Sequence, residues 1–161
     1  VVEVQQLEGL DETKIVLITD AAGLDKTEVK RGLETMDAHN GEIWGKLDAG
    51  TEEYYQQVNR SNVKYARILN NLLETARVRP IIIQSLFLKV HGEAMSADEL
   101  EAYCGRLRDL TAAGGQISEV HLYTVARPTP EAFATKLEVP ELEVMAAAVR
   151  DQTGLRVSFF P

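Results

Sequence analysis

Cysteine is almost absent. Cys104 is the only one in 161 residues, which excludes a disulfide within the chain and any multi-cysteine zinc or iron–sulfur site built from this chain alone. Histidine is scarce too: His39, His91 and His121 are the three, and no set of residues has the spacing of zinc ligands. Positive charge is in deficit, with 17 Lys and Arg against 25 Asp and Glu and a net charge of -8. Without a local run of Lys and Arg, that balance argues against a nucleic-acid partner. Long apolar runs are missing. The longest, residues 80–88, is broken by Gln84 and Ser85 and is too short to span a membrane. No glycine-rich phosphate loop and no serine in a nucleophile elbow is found. Residues 1–10 carry Glu3 and Glu8 and no basic leader, so no signal peptide is expected and the expected location is cytoplasmic. The chain opens on Val1 in mid-pattern, which suggests a fragment.

What is present is globular: 45% apolar and 26% charged residues. Helical and strand patterns alternate along the chain. Val1, Val4, Leu7 and Leu10 have helical spacing. Residues 14–19 form a β-branched run too continuous for a half-exposed strand, as expected of a buried parallel one. Asp25 and Glu28 have the spacing of a capping box for a helix with Val29, Leu33 and Met36 on its apolar stripe, stopped at Asn40 and Gly41. A second strand is expected over 42–48, a short helix around Tyr54, Tyr55 and Val58, and a longer one capped by Ser61. Residues 81–88 read as a third strand. Ser96 and Glu99 form a second capping box, before a stripe of Leu100, Tyr103, Cys104, Leu107 and Leu110. A fourth strand over 117–125, a loop over 126–138, a helix starting at Pro140 and a fifth strand over 155–160 complete the pattern. Residues 1–161 are therefore expected to form a single α/β domain of βα units around a parallel sheet.

Polar residues recur where these strands end. On the second strand Trp44, Lys46 and Asp48 share one face, which suits a barrel interior better than a helix-packing surface. Thr19 and Asp20, Gln84 and Ser85, and His121, Tyr123 and Thr124 stand at other strand ends, where parallel α/β folds place ligands. A partial (β/α) barrel is the expected fold.

Four strand ends in order resemble the later strands of the radical S-adenosylmethionine (radical SAM) enzymes. The stretch 17–21 (LITDA) is similar to a strand ending in Thr-Asn and a small residue, with Asp20 in place of the Asn. The stretch 46–50 (KLDAG) is similar to one ending in Ser-Leu-Asp, with Lys46 in place of the Ser. The segments 50–55 and 58–61 resemble the region that follows, and 83–88 and 120–125 the two strands after it. The resemblance covers roughly residues 14–160 and implies the later half of a (β/α)6 barrel. The three-cysteine cluster motif and the glycine-rich strand end of that family are absent. For the complete protein the resemblance implies S-adenosylmethionine and a 4Fe–4S cluster, and reductive cleavage to a 5′-deoxyadenosyl radical that abstracts a substrate hydrogen. This chain alone would offer neither group a complete site.

Thr19, Asp20, Lys46, Asp48, Gln84 and Ser85 are the candidate cofactor-binding residues. By the resemblance, Lys46 meets the methionyl carboxylate and Asp48 the cofactor's hydroxyl or amino hydrogens. A buried ion pair that satisfies itself is the other reading of Lys46 and Asp48. His121, Tyr123 and Arg127 are the candidate substrate-facing residues, with a satisfied core histidine as the alternative for His121. Cys104 reads as a buried inert thiol, His39 as a helix-end residue, and Glu99, Glu101, Arg106 and Arg108 as solvated helix surface. The rival to an enzyme fragment is a non-catalytic α/β binding or assembly module. In either case the open sheet edge calls for cover, by a missing N-terminal half or by a second copy. An unrelated enzyme of the same barrel type is the third possibility.

Overall fold

The computed structural model describes residues 1–161. Its principal sheet has five strands: β1 (Ile15–Thr19), β2 (Gly41–Lys46), β3 (Ile81–Leu86), and, beyond a short β4 (Lys89–Val90), β5 (Ile117–Tyr123) and, beyond a short β6 (Ala134–Thr135), β7 (Val157–Phe160). The helices are α1 (Val2–Leu7), α2 (Thr27–Asp37), α3 (Glu52–Asn59), α4 (Tyr65–Val78), α5 (Ala97–Ala112) and α6 (Val139–Thr153). Every neighbouring pair in the sheet is parallel, and the order β1-β2-β3-β5-β7 follows the chain.

That order decides the architecture. Parallel crossovers are right-handed, so strands added always on the same side place every connecting helix on the same face. A doubly wound sheet would need the order to reverse. Here one face is packed by helices and the other is bare, which is one arc of a (β/α) barrel. Side-chain alternation agrees: on β1, Val16 and Ile18 on the bare face are 41% and 55% exposed, while Leu17 packs against the core between them. Ile43, Leu72, Ile83, Leu107, Leu122 and Leu142 fill the space between sheet and helices. No helix is long and apolar enough to cross a membrane.

Several local expectations fail at the caps. Asp25 caps nothing: α2 begins at Thr27 with Lys26 at the N-cap, and Asp25 instead takes both oxygens to Arg67 at 3.1 and 3.0 Å, tying the α2 entry to α4. Ser61 closes a turn onto the Val63 N–H at 3.1 Å, and α4 starts four residues later with Lys64 at its N-cap. Ser96 does cap α5, accepting the Glu99 N–H at 3.1 Å. The third strand stops at Leu86, and Lys89–Val90 then pairs antiparallel with Ala134–Thr135. This ribbon lies partly within the segment read as plain loop.

Packing against the helix layer also fixes how the phenols ionise. Burial, helped by the Glu99 and Asp48 carboxylates, pushes Tyr54 up to about 12. Burial raises Tyr65 further, against an opposing pull from Arg106, and raises Tyr103 most. A phenol whose folded pKa lies above its unfolded value of about 10 stabilises the fold fully below pH 10, and that contribution drains away as pH rises towards the folded value. Stability should therefore fall as pH is raised above about 10. Tyrosinate absorbance from these three residues should appear together with loss of the far-ultraviolet circular dichroism. Ionisation of all five tyrosines within an intact fold near pH 10 would contradict this.

Candidate functional site

The bare face of the sheet carries the candidate site, built from strand positions that alternate towards it. On β2 these are Glu42, Trp44 and Lys46. The register sets Lys46 beside Gln84 of β3, and Gln84 beside His121 of β5. Leu86 is beside Tyr123, and Tyr123 beside Phe160 of β7. A charged, aromatic and amide-bearing row thus crosses three central strands near their carboxyl ends.

Asp48 lies just beyond β2 and is 3% exposed. One oxygen accepts the Leu86 N–H at 2.8 Å, the other the Asn59 amide at 2.7 Å, and Lys46 Nζ stands 3.6 Å away. It joins the ends of β2 and β3 to the C-terminus of α3. Lys46 is the accessible partner: it donates to the Tyr123 hydroxyl at 2.9 Å and keeps a side-chain exposure of 28%. Burial works to lower its pKa, but the Asp48 charge and the Tyr123 hydroxyl outweigh that and hold it above the ordinary lysine value. Lys46 is therefore an ammonium at neutral pH. With Tyr123 and Asp48 engaged, part of its three-donor capacity is free for an anionic ligand.

The Lys46–Tyr123 bridge separates two concavities. On one side Asp20, Lys46, Asp48, Asn59 and Ser61 line a cleft of about 240 Å³ floored by Tyr55 and Tyr65. On the other, Trp44, Gln84, His121, Tyr123 and Phe160 surround a bay of about 380 Å³. Asp20 thus joins Lys46 and Asp48, its Oδ1 also accepting the Ala22 N–H at 3.0 Å. Thr19 does not line the cleft; its hydroxyl closes the turn by accepting the Ala21 N–H at 3.1 Å. Gln84 faces the bay with His121 and Tyr123. Arg127 is exposed and lines an adjoining depression among loop residues 125–136, outside the bay.

Two readings need correction. Ser85 is turned to the opposite face, fully buried, and hydrogen-bonded to Tyr103 of α5 at 2.7 Å. Strand parity requires this, because Gln84 and Ser85 must point opposite ways. Glu99 is not solvated surface. It is 7% exposed and reaches back to the loop after β2, accepting the Gly50 N–H at 2.5 Å, the Thr51 N–H at 3.2 Å and the Thr51 hydroxyl at 2.6 Å. Thr51 in turn caps α3 by accepting the Tyr54 N–H at 3.2 Å. Glu99 therefore fixes the loop leading from Asp48 to Asn59. Neither Asn59 nor Glu119, which stands 3.4 Å from His121, was among the candidates. The i, i+2 spacing of Glu119 and His121 on a strand was the available signal for Glu119; for Asn59 it was the resemblance of segment 58–61.

The residues present fit the two implied groups unequally. Cys104 is fully buried on α5, and burial holds its thiol up in the protonated form. No group of three His, Cys, Asp or Glu side chains could hold a metal ion, so these residues do not ligate a 4Fe–4S cluster. The cleft does fit an amino-acid zwitterion: Lys46 presents a partly exposed cation and Asp20 a carboxylate in the same lining, with Asp48 buried behind Lys46.

No protein-family model and no curated protein matches the chain. Solved structures share its fold, two of them as follows. One is a radical SAM methyltransferase from Sphaerobacter thermophilus, with a TM-score of 0.65 and 14% identity over 91% of this chain and 40% of that one. The other is a domain of a pyruvate-formate lyase-activating enzyme from Bacteroides vulgatus, with a TM-score of 0.66 and 14% identity over 99% of this chain and 89% of that domain. This chain thus spans less than half the length of the methyltransferase and most of the activating-enzyme domain. The fold is a radical SAM-like partial barrel.

Proposed function

We propose that this chain supplies the later strands of a radical SAM enzyme's barrel and forms part of the wall that binds S-adenosylmethionine and substrate. The observation that carries this reading is the cleft at the carboxyl ends of parallel strands, lined by Asp20, Lys46 and Asp48, in which the Lys46 ammonium is partly exposed. S-Adenosylmethionine, when bound, supplies a sulfonium-activated adenosyl group for radical chemistry in the complete protein. Lys46 receives the methionyl carboxylate, Asp20 takes the ammonium or a ribose hydroxyl, and Asp48 holds Asn59 and Lys46 in place. Tyr123 fixes the Lys46 ammonium from the bay side. Cluster ligation falls to residues outside this chain.

The test is a titration of the chain with S-adenosylhomocysteine, a stable relative of the cofactor, followed by nuclear magnetic resonance because a partial wall binds weakly. Amide shifts are expected to concentrate at Asp20, Lys46, Asp48 and Asn59. Lys46→Met should weaken the interaction at least tenfold, the loss of one charge-assisted hydrogen bond being worth about 1.5–3 kcal/mol. Shifts scattered over the surface, or unchanged affinity in Lys46→Met, would overturn the reading.

A second reading rests on β1. Its outer edge is unpaired in the sheet order, and Val16 and Ile18 are exposed beside it. Edges of this kind are normally covered. In this reading the chain is a non-catalytic module completed by a second copy of itself. Sedimentation would then show a dimer that Ile18→Lys converts to monomer.

A further inference from the structure

The bay on the far side of Tyr123 does not end at β5. Ala126 lines both the bay and the depression among residues 125–136, so the two concavities, each of about 380 Å³, adjoin. Each lies within the size range of small-molecule sites. Their chemistries differ. The bay is walled by aromatic rings: Trp44 and Phe160 both meet His121 edge-on, at 4.8 and 5.3 Å between centroids. Gln84 also lines it, half-buried, and its side-chain amide bonds to nothing within the fold.

The depression is cationic. Arg127 and Lys136 line it, and no carboxylate does. They come from opposite ends of one loop, which the buried Thr124 draws together by accepting the Leu137 N–H at 2.9 Å. Within the loop the Thr129 hydroxyl stands 2.7 Å from both the Glu131 and the Ala134 carbonyl oxygens, and Ala134–Thr135 pairs with Lys89–Val90. The acids nearest in sequence are already engaged. Glu131 pairs with Arg60 at 3.0 Å, Glu141 with Lys89 at 2.9 Å, and Glu138 caps α6. In a chain of net charge -8, two cations thus share a concavity from which every carboxylate is missing, beside an apolar bay. Arg127 offers the forked donors that match an anionic oxygen pair, and Lys136 a point charge.

We propose that bay and depression together bind one elongated ligand, with a planar, largely apolar body against Trp44 and Phe160 and an anionic end at Arg127 and Lys136. Gln84 hydrogen-bonds a polar group on the body. That this ligand is a substrate rests on the radical SAM reading; that it binds here does not.

The probes are 4-(4-hydroxyphenyl)butyrate and the corresponding primary amide, alike in shape and different in charge. Trp44 is the only tryptophan, so its indole N–H gives one unambiguous nuclear magnetic resonance signal that reports occupation of the bay. Both probes should move it, and the acid should bind about threefold or more tightly than the amide, as expected for solvent-exposed ion pairs. Arg127→Gln combined with Lys136→Gln changes two exposed side chains. It should remove the preference for the acid and leave the affinity for the amide unchanged. Gln84→Leu should weaken both probes alike. Equal affinity for the two probes, a Trp44 signal that stays in place at saturation, or a preference that survives the double variant would each overturn the proposal. So would loss of the preference in Lys46→Met rather than in the double variant, which would assign the acid to the other cleft. The S-adenosylhomocysteine titration is read at Asp20, Lys46, Asp48 and Asn59, so failure of that reading is distinguishable from failure of this one.

Discussion

Gly50→Ala is expected to leave little folded protein. A Cβ at Gly50 would lie 2.1 Å from the Tyr103 backbone nitrogen, 2.5 Å from the Ala102 carbonyl carbon and 2.7 Å from the Tyr103 Cα. These are backbone atoms of α5, and no side-chain rotation moves them away. Relief requires α5 to retreat, taking Tyr103 and Leu107 from the core and Glu99 from its bonds to Gly50 and Thr51. The overpacking and the stranded N–H groups together are expected to cost more than about 4 kcal/mol. That is a large share of a typical total of about 5–15 kcal/mol. Gly32→Ala provides the contrast. Gly32 is exposed within α2, its added Cβ would meet nothing within 4 Å, and the change should stabilise by about 0.5–1 kcal/mol. Urea unfolding of both variants is the measurement. An unchanged midpoint for Gly50→Ala would mean that the loop does not press on the helix.

Asp48→Ala is expected to destabilise nearly as much. The carboxylate is 3% exposed and holds the Leu86 N–H, the Asn59 amide and the Lys46 ammonium. Removing it strands the Leu86 N–H and the Asn59 amide and leaves Lys46 with Tyr123 and solvent, and loss of one side of a buried charged cluster costs about 3–5 kcal/mol. For a chain of this size that corresponds to a fall of about 6–20 °C in Tm. Lys46→Met should cost far less, because Asp48 keeps its two amide donors and Lys46 is partly solvated. Thermal unfolding of the two single variants and the double variant checks this asymmetry. Equal losses from the two single changes would mean that the ion pair, rather than the amide bonds, carries the stability.

The alternation of strands and helices was legible because parallel strands leave β-branched runs such as residues 14–19 and 81–83, separated by stripes at helical spacing. The shared face of Trp44 and Lys46 was legible from period two alone, and with it the choice of barrel over doubly wound sheet. What failed depended on partners distant in sequence. Asp25 and Glu28 have the spacing of a capping box, yet Arg67, 42 positions away, claims the carboxylate. Ser96 and Glu99 match the same motif. Half of it forms, because Glu99 is drawn to the loop at Gly50, 49 positions away. Gln84 and Ser85 had to face opposite ways, but which of them faced the bay was set by register with Lys46 and His121. Local chemistry proposed these residues, and the tertiary structure assigned their partners.

A sheet whose spatial order repeats its chain order has a kinetic corollary. Each strand docks on the one completed most recently in the principal sheet, so no pairing has to wait for a segment from the far end of the chain. Loop closure then costs the entropy of one crossover connection at a time, of one helix or, between β2 and β3, of two. This chain should carry a low relative contact order for a parallel-sheet protein and fold faster than doubly wound sheets of equal length. Growth by sequential addition of this kind suits folding during synthesis, with each βα unit settling against its predecessor as it emerges.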